Sequence, residues 1–365
     1  MATPADLPKK YKAAIYDKPG TISTSIVSLD MPEPGAGQVL IHLTHSGVCH
    51  SDMGVMMNAW KILPFPTQAG QVGGHEGVGE VVKMGPGTEG VGGGVKIGDR
   101  VGIKWMAGIC EACEACRAGF DASCFNGKIS GYYTPGTFQQ YVLSPANYIT
   151  PIPDALPSAA AAPLLCAGVT VYAALRKTNA ESGAWVVIMG AGGGLGHLAV
   201  QFSARAIGHR VIGLDHSSKR DIVMDSGAEH FLAVDDKEID LAQAVMGLTD
   251  GLGAHAVVVC TANNAAYASS LELLRFGGRV VCVGIPEGDV VPIASAYPGL
   301  LVAKALQVVG SAVGTRKEAI ETMEFAARGI VKTHFRVERM ERLTEVFREM
   351  EEGRLMGRVV LDLGD

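Results

Sequence analysis

The chain has 365 residues, of which 48% are hydrophobic and 19% are charged, and its formal net charge is −6. This balance is ordinary for a globular protein, and the length is sufficient for two domains. The negative charge gives no reason to expect nucleic acid or an anionic membrane as a partner.

The N-terminal segment from Met1 to Lys12 is polar, contains two prolines and has no apolar core. It therefore predicts no secretory signal and favours a cytoplasmic protein. The longest apolar stretch, Ala159 to Leu175, is short for a membrane span and contains Pro163 and Gly168. We interpret it as a buried helix that crosses between domains.

Two short stretches near the N-terminus carry reactive side chains. Residues 49–52 place a thiol, an imidazole, a hydroxyl and a carboxylate in four consecutive positions, and residues 75–76 add a histidine and an acid on a glycine-rich turn. Each stretch alone is a weak signal, because a lone cysteine is more often a small buried residue and a lone histidine is more often structural. The residues are Cys49, His50, Ser51, Asp52, His75 and Glu76.

A cluster of four cysteines follows, at Cys110, Cys113, Cys116 and Cys124. Thiols at this spacing can close a tetrahedral shell around one zinc, and four thiolates leave no position open for substrate. We therefore predict a structural zinc site. A disulfide cluster or an iron–sulfur site is the alternative, but a chain without a predicted signal peptide favours metal over disulfides.

The stretch from Trp185 to Asp215 predicts a strand, a glycine turn, a helix and a second strand that ends on an acid. The turn is formed by Gly190, Gly192, Gly193, Gly194, Leu195 and Gly196. Its glycines let the backbone approach a pyrophosphate, and the helix N-terminus offers free N–H groups. Asp215 would take two ribose hydroxyls and repel a 2′-phosphate, which favours NAD over NADP.

The glycine spacing differs from the standard motif, because Gly190, Gly193 and Gly196 follow a G-x-x-G-x-x-G pattern. The predicted turn is therefore one residue longer, and a glycine-rich loop without a ligand is the alternative. Later apolar runs at 256–260 and 278–284 predict further parallel strands, with Cys260 and Cys282 as core residues. The glycine-rich stretch from Gly87 to Gly94 predicts a loop to which we assign no function.

Together these motifs resemble the zinc-dependent medium-chain alcohol dehydrogenases, and in particular their tetrameric yeast and fungal branch. The likeness covers almost the whole chain in the same order. It is carried by residues 46–52, 73–77, 102–106, the cysteine cluster, 136–141, 165–172, the glycine turn and 357–360.

The resemblance implies an α/β fold with two domains. A doubly wound Rossmann domain with a parallel sheet would span residues 166–305 and bind NAD. A mostly β, GroES-like catalytic domain would combine residues 1–165 with 306–365, and its structural-zinc lobe would span 105–125.

The resemblance also implies a catalytic zinc held by Cys49, His75 and Cys166. Zinc with three protein ligands and one open position can accept an alcohol oxygen and lower its pKa. Glu76 is expected close to this zinc with some ligand character. Asp52 is expected to orient His75 through the other ring nitrogen, although it could merely cap a helix. The hydroxyl of Ser51, next to Cys49, would accept the alcohol proton.

Five further residues are predicted to bind the cofactor. His50 and Arg358 are expected near the pyrophosphate, Lys219 near the adenosine ribose and Thr170 near the nicotinamide, and Val283 completes the set. An ordinary surface charge is the alternative for His50, Lys219 and Arg358.

Trp60 and Trp105 match positions that narrow the substrate pocket in the yeast branch, which favours small primary alcohols. At the position where many members carry a histidine that relays the proton to solvent, this chain has Gly54. The segment from Met53 to Gln71 also departs from the family, and its methionines could line a wider apolar pocket or be ordinary core. They are Met53, Met56 and Met57.

The leading interpretation is an NAD-dependent alcohol dehydrogenase with two zinc ions per chain, which converts primary alcohols to aldehydes reversibly. By family likeness it would be a homotetramer. A pathway-specific aldehyde reductase of secondary metabolism is an alternative, because Gly54 and the altered pocket segment leave room for it. A non-catalytic protein that binds NAD and zinc is a further alternative.

Overall fold

The computed structural model describes residues 7–61, 63–91, 94–355 and 357–364. Part of the N-terminal segment and two glycines of the 87–94 stretch lie outside the described residues. The chain divides into two compact units. Unit 1 comprises Met1–Cys166, Thr315–Ala327 and Thr333–Asp365, and unit 2 comprises Ala167–Gly314 and Arg328–Lys332.

Strands dominate the first segment of unit 1. They are β1 (Lys10–Tyr16), β2 (Thr24–Asp30), β3 (Gln38–Val48), β4 (Gln71–Val72), β5 (Gly77–Met84), β6 (Arg100–Ile103), β7 (Met106–Gly108), β8 (Lys128–Ile129), β9 (Tyr141–Pro145) and β10 (Thr150–Pro151). The helices are α1 (His50–Met56), α2 (Glu114–Arg117) and α3 (Ser158–Ala161), with 3₁₀ turns at Asp121–Ser123 and Ala162–Leu165.

The predicted crossing helix over 159–175 is interrupted at Cys166. A 3₁₀ turn with proline in its first positions precedes Cys166, and a new helix begins at Ala167. Pro163 supplies no backbone N–H, so a regular helix cannot run through this point unbroken. The residues from Ala167 to Leu175 are all buried, as predicted.

Unit 2 alternates helices and strands. Its helices are α4 (Ala167–Arg176), α5 (Gly196–Gln201), α6 (Arg220–Asp225), α7 (Leu241–Leu248), α8 (Asn264–Ser269) and α9 (Pro298–Lys304), and its strands are β11 (Trp185–Met189), β12 (Arg210–Asp215), β13 (His230–Ala233), β14 (Ala254–Val259), β15 (Leu274–Cys282) and β16 (Gln307–Gly310). A π-helical segment, Phe202–Ile207, continues α5, and 3₁₀ turns lie at Ser217–Lys219 and Ser270–Leu273.

The sheet of unit 2 is parallel in every pairing, and its strand order is β13-β12-β11-β14-β15-β16. This is the doubly wound order, in which β11 is the first strand. Strands β12 and β13 are added on one side of β11, and β14, β15 and β16 are added on the other side. All five residues of β11 are buried, as expected for a strand covered on both faces. The predicted Rossmann fold is confirmed.

The structure differs from the predicted domain boundary between residues 305 and 306. Val308 of β16 pairs with Val280 of β15, so the parallel sheet continues past this point. Unit 2 therefore extends to Gly314.

The chain then returns to unit 1 with α10 (Arg316–Ala327), β17 (Phe335–Arg339), α11 (Leu343–Glu351) and β18 (Arg358–Asp362), and a 3₁₀ turn at Met340–Arg342. One sheet of unit 1 has the order β2-β1-β4. The larger sheet has the order β10-β6-β5-β3-β18-β17, with β9 also paired to β3. The predicted mostly β character of this unit is confirmed.

The larger sheet carries the core of unit 1. Ile41 of β3, Leu361 of β18 and Phe347 of α11 are fully buried in one cluster. Met53 and Met56 belong to the same cluster, and Met57 packs against it while partly exposed. The structure thus favours the core alternative for these methionines over a pocket lining.

Within the described residues, no single helix is long and apolar enough to cross a membrane. Residues 158–165 and 167–176 reach that length and composition only as a bent pair.

Candidate active site

Four potential ligands of one metal ion come together inside unit 1. Cys49 precedes α1, His75 and Glu76 lie on the turn before β5, and Cys166 ends the 3₁₀ turn after α3. Their donor atoms all lie within 4.8 Å of one another, and all four residues are buried. The turn requires Gly74, because its φ is +94° and a Cβ there would lie 2.8 Å from the backbone N of Phe138.

Asp52 fixes the orientation of the His75 ring. Its Oδ1 lies 2.7 Å from His75 Nδ1, and its Oδ2 accepts a hydrogen bond of 2.9 Å from the backbone N–H of Cys49. The two predicted alternatives for Asp52 therefore both occur, one on each oxygen. Because a carboxylate only accepts, Nδ1 carries a hydrogen, so in the neutral ring the lone pair is on Nε2.

The chemistry of this donor set fits zinc. Nε2 of His75 is buried and has no hydrogen-bond partner among the described residues. Such an atom is costly to bury unless a ligand satisfies it. Two thiols and one imidazole are ligands that zinc binds, and a site with three such ligands keeps a fourth position open.

Neighbouring groups favour the charged forms of Cys49 and His75 and disfavour the thiolate of Cys166. A hydrogen bond from the Cys166 thiol, followed by the charges of Arg358 and His75, lowers the pKa of Cys49 well below its ordinary value. The same contact raises the pKa of Cys166. Burial disfavours the imidazolium, yet Asp52 and Cys49 together raise the pKa of His75.

Arg358, the first residue of β18, forms a buried ion pair with Glu76 that the sequence analysis did not foresee. Its Nη2 contacts Glu76 Oε1, and its Nη1 lies 3.9 Å from Cys49 Sγ. Burial raises the pKa of Glu76 to about 7, although the Arg358 charge opposes this. The predicted phosphate contact of Arg358 stays a prediction.

Room for the Glu76 carboxylate comes from Gly47 in β3. A Cβ at Gly47 would lie 1.9 Å from Glu76 Oε2. Any other residue at this position would therefore displace the carboxylate from the cluster.

The predicted pocket and relay residues lie around the same cluster. The Trp105 ring meets His75 edge-on at 4.9 Å, and the Trp60 ring meets Trp105 at 5.9 Å. The Ser51 hydroxyl lies 3.7 Å from Cys49 Sγ. His50 is exposed at the start of α1.

The four lobe cysteines form a second potential metal site. Four of the Sγ–Sγ distances between them run from 3.5 to 4.0 Å. Tetrahedral zinc with Zn–S bonds of about 2.3 Å requires about 3.8 Å between sulfurs, whereas a disulfide bond is about 2.05 Å long. Backbone N–H groups of Ala112 and Cys113 lower the pKa of Cys110 to about 6. The geometry fits zinc better than the disulfide alternative.

The lobe is fastened to the point where the chain re-enters unit 1. Asp121, inside the lobe, accepts hydrogen bonds from the Tyr148 hydroxyl at 3.1 Å and from the backbone N–H of Arg316 at 3.2 Å. The Arg316 guanidinium also pairs with Glu111 of the lobe at 2.7 Å and donates to the carbonyl of Asn147. Glu111 and Asp121 of the lobe thus both contact Arg316, the first residue of α10.

A buried lysine adjoins this network. Lys104 Nζ donates to the Tyr148 carbonyl at 2.6 Å and lies 3.7 Å above the Tyr148 ring. The pKa of Lys104 is lowered to about 7, mainly by burial. The Arg316 charge also lowers this pKa, and the Asp121 carboxylate raises it.

In unit 2, the predicted turn, helix and acid do come together. Gly190 has a φ of +77°, which turns the chain after β11. A Cβ at Gly196 would lie 1.9 Å from the Gly190 carbonyl oxygen, so only glycine lets α5 approach the strand this closely. Asp215 Oδ2 accepts a hydrogen bond of 2.8 Å from the N–H of Gly192. The acid at the end of β12 therefore also holds the turn.

The space requirements within the turn differ from the predicted spacing. A Cβ at Gly192 would lie 2.6 Å from Lys219 Cβ, whereas at Gly193 the nearest atom would be 3.4 Å away. Packing within the protein therefore requires glycine at position 192. At position 193 it does not, so a requirement for glycine there would come from a bound ligand. Lys219 is next to the turn, and its contact with the cofactor stays a prediction.

The remaining predicted cofactor residues also belong to unit 2. Thr170 lies in α4, and its hydroxyl is buried without a partner in the part of the chain that the structure describes. Val283 directly follows β15, and Leu195 precedes α5. A buried, unsatisfied hydroxyl is consistent with a ligand contact at Thr170.

Comparison with known proteins identifies relatives along the whole chain. The "Alcohol dehydrogenase GroES-like domain" family matches residues 35–154, and the "Zinc-binding dehydrogenase" family matches residues 194–328. The chain is 65% identical to Alcohol dehydrogenase 2 of Emericella nidulans over the full length of both proteins. It is 39% identical to an alcohol dehydrogenase of Schizosaccharomyces pombe, over 98% of this chain and 99% of that protein.

Among solved structures, acetophenone reductase from Geotrichum candidum in complex with NAD matches with a TM-score of 0.82 and 26% identity. The match covers 98% of each chain.

Proposed function

The chain belongs to the zinc-dependent medium-chain alcohol dehydrogenase family, and we propose that the buried cluster of unit 1 is its catalytic centre. The protein is an NAD-dependent alcohol dehydrogenase that interconverts primary alcohols and aldehydes and uses two zinc ions per chain. Cys49, His75 and Cys166 hold the catalytic zinc, and Glu76 is the nearby carboxylate. The lobe cysteines hold the structural zinc.

One observation carries this assignment: His75 is oriented on one side and unsatisfied on the other. Asp52 holds the Nδ1 hydrogen at 2.7 Å, which leaves a buried Nε2 facing two thiols. An imidazole in the core of a protein without a ligand would normally satisfy both nitrogens.

When bound, zinc supplies a Lewis acid for the alcohol oxygen, and NAD accepts the hydride. The chain's own groups handle the proton and the geometry. Ser51 can accept the alcohol proton because a hydroxyl both donates and accepts. Asp52 keeps the His75 tautomer that the site needs. Trp60 and Trp105 form an apolar wall that favours small primary alcohols.

Residues of unit 2 bind the cofactor in this proposal. The turn from Gly190 to Gly196 receives the pyrophosphate, and Asp215 receives the adenosine ribose and selects NAD over NADP. Lys219 lies beside that ribose, while Thr170 and Val283 contact the nicotinamide end. For His50 and Arg358 a phosphate contact is likewise our proposal.

The test measures zinc content and NAD-linked alcohol oxidation together. We expect two zinc ions per chain in the wild type. In His75→Ala we expect one zinc ion per chain and a loss of kcat of at least about 1000-fold, because the Lewis acid is lost. Cys260→Ala is the matched control, since it removes a core thiol that should bind no metal. Full zinc content or full activity in His75→Ala would overturn the assignment.

The physiological substrate and the preferred direction of the reaction have to be determined by assay. A pathway-specific aldehyde reductase remains the alternative within the same chemistry, and comparing ethanol with longer and aromatic alcohols and their aldehydes would distinguish the two. The non-catalytic alternative is disfavoured, because none of the proposed ligands or the Ser51 hydroxyl is missing.

We place the protein in the cytoplasm as a homotetramer. Its eight cysteines are free thiols, which suits a reducing compartment. Strand β16 is an edge of its sheet among the described residues, and Val308 on it and Val302 on α9 are 41% and 82% exposed. Exposed strand edges with apolar side chains favour association. Sedimentation velocity tests this proposal, and a mass other than that of four chains would contradict the homotetramer.

A further inference from the structure

The glycine that replaces the family's relay histidine packs directly against a pocket tryptophan. Gly54 is buried in the middle of α1. A Cβ built on it would lie 3.1 Å from both Cε2 and Nε1 of Trp60 and 3.5 Å from Cδ1. Distances this short mean that the indole rests on the bare backbone of Gly54.

The loop after α1 explains why Trp60 returns to the helix. Asn58 has a φ of +56°, which reverses the chain, and the N–H of Ala59 donates to the Gly54 carbonyl at 3.0 Å. Thr67 closes the loop, because its N–H donates to Asn58 Oδ1 and its hydroxyl donates to the Val55 carbonyl, both at 2.7 Å. The Trp60 backbone thus has little freedom to retreat.

The indole is also linked to the metal cluster through a second ring. Trp60 meets the Trp105 ring at 5.9 Å, and Trp105 meets the proposed zinc ligand His75 at 4.9 Å. A side chain at position 54 would therefore displace the indole and change its packing against Trp105. The hydrogen bonds of the loop restrict how far the Trp60 backbone can yield.

We propose that Gly54 is a specificity-determining residue, which sets the width of the alcohol pocket by giving the Trp60 indole its position. This inference rests on the proposed function and deepens it. It also explains why the histidine is absent, because an imidazole at position 54 and the indole of Trp60 would compete for the same space. Gly54 is a positioning residue, since it acts through Trp60.

The kinetic test is a cycle of Gly54→Ala, Trp60→Ala and the double variant, with kcat/KM measured for ethanol and for benzyl alcohol. We expect Gly54→Ala to lower benzyl alcohol turnover relative to ethanol by roughly 10-fold, the usual effect of a methyl group in an apolar pocket. In the Trp60→Ala background the same change should leave the ratio unchanged. Gly247→Ala is the matched control, because Gly247 also lies within a helix and a Cβ there meets nothing within 4 Å.

A spectroscopic readout separates this proposal from the enzymatic assignment. The chain has three tryptophans, so labelling with 5-fluorotryptophan gives three fluorine signals, and Trp60→Phe identifies one of them. Gly54→Ala should shift the Trp60 signal, whereas Gly247→Ala should not. This holds even if the wild type oxidises no alcohol, an outcome that would refute the proposed function alone.

The double variant also covers the case in which Gly54→Ala does not fold. Because it lacks the indole, we expect it to fold as well as Trp60→Ala, and rescue of this kind supports the contact. An equal effect of Gly54→Ala with and without Trp60, or failure of both Gly54 variants to fold, would overturn the proposal.

Discussion

Asp52 offers the sharpest test of how the metal site is preorganised. In Asp52→Asn, one carboxylate oxygen becomes an NH₂ group of nearly the same size. The amide oxygen can still accept from the Cys49 N–H, because asparagine caps helices as well as aspartate does. The NH₂ group then faces His75 Nδ1 and forces that nitrogen to become the acceptor. The ring hydrogen moves to Nε2, the nitrogen that must bind zinc.

The size of the effect follows from the geometry. The bond between Asp52 and His75 is 2.7 Å long and fully buried, so no water can replace it. Loss of such a partner of a metal ligand lowers metal affinity or activity by about 10-fold to 100-fold, which equals about 1.4 to 2.8 kcal/mol. We expect this loss at the catalytic zinc only.

The assay is competition for zinc with a chromogenic chelator, alongside kcat. One of the two zinc ions should leave Asp52→Asn at a chelator concentration about 10-fold to 100-fold lower than in the wild type. Asp240→Asn is the control, since Asp240 only caps α7 through the N–H groups of Ala242 and Gln243. Equal zinc retention in both variants would refute the reasoning, because Asp52 would then be a cap and nothing more.

Three further outcomes are expected. The free energy of unfolding should rise by roughly 3 to 5 kcal/mol between pH 7 and pH 10 on account of Lys104, because the unfolded lysine stays protonated up to about 10.4 while the folded one does not. In Lys104→Met, chemical denaturation should show a smaller dependence of this free energy on pH. The same pH dependence in both proteins would contradict a buried neutral amine. Gly196→Ala should lower the melting temperature, whereas Gly193→Ala should keep it and raise KM for NAD; the reverse pattern in calorimetry and NAD titration would show that the turn has been misread. Adding Gly54→His to Trp60→Ala should introduce a new ionisation in the pH–rate profile, since the imidazole then has room to relay the proton; an unchanged profile would argue against a relay.

The features that the sequence predicted well are local ones. A buried strand, a glycine turn and an acid lie within one short stretch of chain, and their contacts follow from that order. The cysteine cluster is equally local. The proposed metal ligands Cys49, His75 and Cys166 are far apart in sequence, and only the family resemblance united them.

The features that the sequence did not predict depend on distant or irregular backbone. Glu76 and Arg358 lie 282 positions apart, and no pattern connects them. The contact of Gly54 with Trp60 is close in sequence but requires the left-handed conformation of Asn58. Strand β16 lies beyond the boundary that the family resemblance implied, and three of its four residues are exposed, so it lacks the pattern of a strand buried on both faces.

The position of β18 has a consequence for how the protein is made. Val48 of β3 pairs with Val359 of β18. The large sheet of unit 1 therefore combines strands that precede unit 2 in the sequence with strands that follow it. On the ribosome, strands β11 to β16 emerge as one uninterrupted series and can assemble during translation. The metal pocket must instead wait for Arg358 to be synthesised. A nascent chain stalled after β16 has left the ribosome but before Arg358 has been added would thus have a finished nucleotide-binding sheet and an unfinished catalytic domain.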